Sequence, residues 1–176
     1  MVVATDPSWS LFWFNAALFL LMTLVRMRVD VLLPDRCFAP GQWIFRTQAW
    51  ERDGDFYRDV LRIDRWKDKV PAVDSLNNFS KRQLTGAHAD YLQRFVLETC
   101  RAESNHLRSV LSVIPLRLWT PPDLWLLCFL LALLGNLPFV LIQRYNRPRL
   151  QRTLARIQDR RFLTAEPALD WEPATA

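Results

Sequence analysis

Two stretches without a charged side chain, Trp9 to Val25 and Leu124 to Ile142, constrain this chain more than any other feature, because nearly all its charges lie between or after them. Each is about as long as a helix needs to be to cross a hydrocarbon core of roughly 30 Å at 1.5 Å per residue. A chain of 176 residues that is 51% hydrophobic on average, yet segregated in this way, is expected to be an integral membrane protein. No stretch keeps the alternation of a strand for long, and no internal repeat is visible. The expected fold class is therefore an all-α integral membrane protein.

The flanks of the first stretch set its orientation. Only Asp6 is charged before Trp9, whereas Arg26 and Arg28 follow the apolar run, the reverse of a secretory signal. Residues 9–33 are expected to form a retained transmembrane helix with its N-terminus outside. Residues 144–176, rich in arginine from Arg144 to Arg161, form a basic cytoplasmic tail by the same rule. Two spans cannot put both basic ends on one side, so a third membrane segment is needed. Leu107 to Trp119 is the candidate, making 105–143 a helical hairpin that turns at Thr120-Pro121-Pro122-Asp123. It is short, and carries Arg108 and Arg117, so an amphipathic helix lying on the surface is the alternative. The expected localisation is a multi-pass cell-membrane protein.

Residues 34–104 then form a cytoplasmic and interfacial section. Trp43, Trp50, Phe56, Tyr57 and Trp66 alternate there with charges, as at a headgroup layer. Pro71 to Ser80 reads as loop, after which Tyr91, Leu92, Phe95 and Val96 recur at helical spacing. The chemistry-bearing cluster follows on that helix, as Glu98, Arg101, Glu103, Asn105 and His106. Spacing of i,i+3 allows Glu98 to meet Arg101 and Glu103 to meet His106. A carboxylate beside an imidazole would suit a general base. Taken alone, the spacing is better explained by ordinary ion pairs on a headgroup-facing helix.

Other chemistries are poorly served. Four glycines cannot build a phosphate-binding loop or a nucleophile elbow. Cys37, Cys100 and Cys128 form no CxxC pair, and the single ExxH at Glu103 and His106 lacks the second that a di-iron site needs, so no metal is expected. The net charge of +5 is explained by topology and anionic lipid rather than nucleic acid.

Ordered motifs carry a family resemblance from about Pro34 to Leu150. The run Gln143-Arg144-Tyr145-Asn146-Arg147-Pro148-Arg149-Leu150, preceded by Asn136-Leu137-Pro138, is its most specific part, and Glu98-Thr99-Cys100-Arg101-Ala102-Glu103 followed by His106 is the second. Pro34-Asp35 with Phe38, Ile44-Phe45, Glu51 with Gly54, Trp66-Lys67 with Lys69, and Arg82 with Leu84 add weaker matches. The chain resembles the glycosyl-4,4'-diaponeurosporenoate acyltransferase family, small membrane enzymes that acylate the sugar of a glycosylated carotenoid acid in the staphyloxanthin pathway. Asn105 and Leu107 depart from the family pattern, which has an apolar residue and a tryptophan beside the histidine.

The resemblance implies O-acyl transfer from an acyl-coenzyme A or acyl-carrier thioester, with no bound cofactor, to a carotenoid glycoside or similar lipid at the cytoplasmic face. His106 would be the base, oriented by Glu103. Arg101 or Asn105 would stabilise the oxyanion, with Glu98 holding Arg101. Lys67, Lys69, Lys81 and Arg82 would hold the phosphates of the donor, or else face solvent and anionic lipid, and Trp66 is counted among the substrate-binding residues. Asn136, Arg144, Tyr145, Asn146 and Arg147 would line the acceptor or headgroup site, and Asn136 is expected to face the helix carrying His106. A non-catalytic membrane adaptor and a small membrane methyltransferase are the other readings.

Overall fold

A computed structural model describes residues 7–70 and 89–165. Among them every regular element is helical, as expected of the fold class. The loop expected at Pro71 to Ser80, with Lys81 and Arg82 after it, lies outside the described residues.

Helix α1 (Pro7–Leu32) is the first apolar stretch continued through Arg26, Arg28 and Asp30. Short helical turns follow: 3-10 turns at Asp35–Phe38 and Ala49–Gly54, then α2 (Asp55–Asp59) and α3 (Ile63–Trp66). Helix α4 (Ala89–Leu111) carries the polar cluster and buries Leu92, Val96, Thr99 and Glu103, a stripe at spacings of four, three and four. Helix α5 (Pro122–Ala165) opens with proline at its first position and Asp123 in its first turn, where a missing N–H and a negative charge are both favourable. Its 44 residues span about 66 Å at the helical rise.

One expectation about the last third of the chain is revised. The segment 107–119 is not one membrane helix: α4 runs on through Leu111, and a 3-10 turn at Ile114–Leu118 leads into α5. Pro115 cannot continue an α-helix here, since it lacks the N–H that the ladder would use. Helix α5 continues as one helix through Pro138 and Pro148 and across the change from apolar to basic sequence at position 143. Its basic half is held by burial of Tyr145 and Arg147 rather than left free.

Contacts fix the directions of the long helices. Asn15 donates to Thr120 Oγ1 (3.0 Å) and accepts from Trp119 Nε1 (3.0 Å), joining the first half of α1 to the start of α5. Leu18 and Phe19 pack there with Val113, Leu116, Ala132 and Phe129. Farther along, Arg26 reaches Ser109 and Asp30 pairs with Arg108, while His106 meets Asn136 and Thr99 meets Arg147. Thus α1 and α5 run parallel, and α4 runs antiparallel against both. Residues Ser8–Leu32 and Pro122–Asp159 are long and apolar enough to cross a membrane. Trp9, Trp13, Leu20, Leu24, Leu127, Leu131 and Leu134 project outward from these two helices, an apolar belt larger than water tolerates well.

The described residues between α1 and α4, up to position 70, form a cap on the basic half of α5. Tyr57 and Ile63 bury against Tyr145, with Trp66 and Phe56 at the edge of the cluster. Gly54 makes the approach possible: its φ of 92° is left-handed, and a Cβ there would lie 3.2 Å from the Tyr145 carbonyl oxygen.

Candidate active site

His106 lies on the face of α4 that meets α5. Its Nδ1 is 2.9 Å from Asn136 Oδ1, so Asn136 does face the helix carrying His106. The roles of the two atoms follow from a second bond. Asn136 Nδ2 donates to the Ala132 carbonyl (2.7 Å), which turns the amide oxygen toward the ring. Two acceptors would repel at that distance, so in this arrangement Nδ1 donates to the amide oxygen. Phe139 lies parallel to the imidazole at 4.6 Å between centroids and 6° between planes. Asn136 and Phe139, one turn apart on α5, therefore hold the ring from its edge and its face.

Glu103 is not the partner of His106. The i,i+3 spacing permits that pair, but Glu103 is fully buried and accepts from Arg144 Nε (2.7 Å) and from Arg147 Nη2. Two guanidinium partners in a dry site outweigh one neutral imidazole, because charge-assisted bonds are about twice as strong as neutral ones. Arg147 also donates to Phe45 O (2.8 Å) and Thr99 Oγ1 (3.1 Å), and Arg144 to Ile44 O (2.7 Å).

Glu51 completes this network, and sequence reasoning saw it only as a weak motif match. It accepts from Arg144 Nη1 (2.9 Å), from the Tyr57 hydroxyl, and from the Gln48 N–H (2.5 Å). Burial pushes the Glu51 carboxyl up, yet the bonds from Tyr57, Gln48 and Arg144 outweigh it and hold the group below its ordinary value of 4.5. Burial and the neighbouring carboxylate raise the Tyr57 hydroxyl, which stays a donor. The network ties together three separate stretches: the cap, α4 and the basic half of α5.

Arg101 and Glu98 do not pair with each other either. Arg101 Nη2 pairs with Asp35 (2.7 Å), its Nη1 donates to Asp30 O (3.1 Å), and its guanidinium lies 4.7 Å from the centre of the Phe38 ring. Glu98 sits 2.9 Å from Arg94 Nη2, an i,i+4 pair that spacing allowed equally. The remaining expected residues are spread over the cap and α5. Trp66 donates to Leu61 O (3.0 Å), and Lys67 pairs with the exposed Asp68 (2.7 Å). Lys69 ends the 3-10 turn that follows, and Asn146 is half-buried beside the fully enclosed Tyr145 and Arg147.

Cys100, in the same helix as His106, is fully enclosed, and burial pushes its thiol up to about 11 against the opposing pull of Arg147. It stays protonated at neutral pH and is a poor covalent nucleophile.

A profile described as glycosyl-4,4'-diaponeurosporenoate acyltransferase matches residues 41–156. Relatives of that name from three strains of Staphylococcus aureus are each 30% identical over 151 residues, covering 85% of this chain and 90% of the relative. No solved structure matches the chain. The matched residues include His106, Asn136 and the whole Glu51–Glu103–Arg144–Arg147 network, and the chain belongs to the glycosyl-4,4'-diaponeurosporenoate acyltransferase family.

Proposed function

We propose that the protein is a membrane-embedded O-acyltransferase that moves a fatty acyl chain from a thioester donor, acyl-coenzyme A or an acyl carrier, to a hydroxyl of a glycosylated carotenoid or similar lipid. The observation that supports the reading is the His106–Asn136 pair, which holds the imidazole by its Nδ1 side near the polar end of the apolar part of α5. Nε2 takes the proton of the acceptor hydroxyl as its oxygen bonds to the thioester carbonyl carbon. The tetrahedral oxyanion then collapses, the C–S bond breaks, and the imidazolium returns its proton to the departing thiolate. Asn136 is a positioning residue in this scheme, in the place the sequence suggested for Glu103.

Membrane embedding fits both substrates. The apolar belt on α1 and α5 leaves the hydrocarbon tails of donor and acceptor in the bilayer, with the basic half of α5 in the cytoplasm beside the thioester. The test is transfer of labelled acyl groups in membranes containing the purified chain, with labelled S-adenosylmethionine as a parallel donor. Acyl transfer by the native chain and its loss, by a factor of roughly 100 or more, in His106→Gln would support the proposal. Full transfer by a folded His106→Gln variant would remove His106 from the chemistry. Transfer of a methyl label, or of no label, would replace the acyltransferase reading itself.

A further inference from the structure

About a quarter-turn around α4 from His106, a second polar surface faces α1. Arg101, Asn105, Arg108 and Ser109 lie on it, opposite Thr23, Arg26 and Asp30, which follow one another on α1 at i, i+3 and i+7. Arg26 Nη2 donates to Ser109 Oγ (2.7 Å) and Thr23 Oγ1 (2.8 Å). Asp30 Oδ1 accepts from Arg108, and the Asp30 carbonyl accepts from Arg101.

Five buried side-chain atoms of this seam have no hydrogen-bond partner among the described residues. Three are donors, Arg26 Nε, Arg26 Nη1 and Arg101 Nε, and two are acceptors, Asp30 Oδ2 and Asn105 Oδ1. Such atoms are uncommon in folded proteins, and five along one seam call for a ligand or solvent to complete them. Their mixture selects its chemistry. An anion would satisfy the guanidinium donors but meet the Asp30 carboxylate and the Asn105 carbonyl. A cation would meet the arginines, and an acyl chain would leave all five atoms unserved. A group that donates and accepts around its whole rim serves both kinds.

We infer that the seam between α1 and α4 is the subsite for an uncharged polyhydroxylated group, a sugar ring carried by a lipid. Its place in the reaction rests on the acyltransferase reading. Asn105 adjoins His106 in sequence, and Ser109 lies one turn beyond it, where i,i+3 side chains have Cβ atoms about 5–6 Å apart. A ring bonded to Asn105, Asp30 and Arg26 keeps a neighbouring hydroxyl on the His106 side of α4. In this arrangement α1 is more than an anchor, because Arg26 and Asp30 form one wall of the acceptor site.

The full chain in lipid nanodiscs tests this with three probes of equal tail length: dodecyl glucoside, dodecyl phosphate and dodecanol, each measured by equilibrium binding. The glucoside should bind on the order of tenfold more tightly than either other probe, and Asn105→Leu should remove roughly five- to tenfold of its affinity. That variant leaves the Asp30–Arg108 pair in place, so it separates recognition from folding; Asp30→Asn is the harsher companion. Preference for dodecyl phosphate would make the seam an anion site, and no preference, or an unaffected Asn105→Leu, would equally overturn the inference. Acyl transfer is followed in the same nanodiscs. Transfer without selective glucoside binding removes the seam alone, whereas selective binding without transfer upholds the seam and removes the reaction.

Discussion

In the proposed reaction, Asn136 is the residue that positions the base. Its Nδ2 is committed to Ala132 O, so its Oδ1 has one task, to hold the proton of His106 on Nδ1. An amide orients the ring without adding a full negative charge beside it. Asn136→Leu is expected to lower kcat by roughly 10- to 100-fold, within the range attributed to general acid–base assistance, while KM changes little. Asn136→Asp should retain more activity and move the alkaline or acidic limb of the pH–rate profile, because a carboxylate favours the imidazolium. Equal losses in both variants, with unchanged pH profiles, would show that Asn136 only packs.

At the scale of elements, the buried charges hold the cap to the long helices. Glu51, Glu103, Arg144 and Arg147 link the 3-10 turn at Ala49–Gly54, α4 and α5, and breaking a buried pair by removing one partner costs about 3–5 kcal/mol. Glu103→Gln and Arg147→Met should therefore first reduce stability, with activity falling as the fold does. The pH dependence has a defined sign. Glu51 is held below 4.5 in the folded state, so its carboxylate contributes stability above the unfolded-state value, and that contribution is lost as pH falls through the lower folded value. Acid titration followed by helical circular dichroism should show a less steep loss of stability below about pH 4.5 in Glu51→Gln, from a lower starting stability. An unchanged acid limb would mean that Glu51 carries no such linkage.

At the scale of the whole molecule, α1 and α5 run in parallel and α4 returns between them, so the basic ends of α1 and α5 lie together. The positive-inside rule predicts the cytoplasmic side for Arg26 and Arg28 on one helix and Arg144 to Arg156 on the other, as the proposed function requires. Single cysteines placed at Ser8 and at Thr153, in a chain otherwise free of cysteine, test this with an impermeant thiol reagent on intact cells. Labelling at Ser8 and protection at Thr153 are expected; the reverse pattern would invert the orientation and put His106 on the outer face.

Much of this was legible before any coordinates. Charge-free stretches specify helices that two apolar faces can surround, and their basic flanks specify direction, because both depend on composition over many residues. The position of Asn136 opposite His106 was also within reach, since a polar amide in an apolar helix needs a partner. Which carboxylate meets which cation was not, because i,i+3 and i,i+4 neighbours on α4 compete with residues forty or ninety positions away. Glu103 had His106 within reach on its own helix and took Arg144 and Arg147 instead; Arg101 passed over Glu98 for Asp35. The sequence by itself determined an α-helical chain with membrane-length segments and a histidine at their polar edge. Only the tertiary structure decided that Glu103 leaves that histidine for Arg144 and Arg147, that the glutamate and arginine motifs lock the cap in place, and that α1 brings Arg26 and Asp30 against α4, since burial makes pairing depend on three-dimensional neighbours rather than on spacing along one helix.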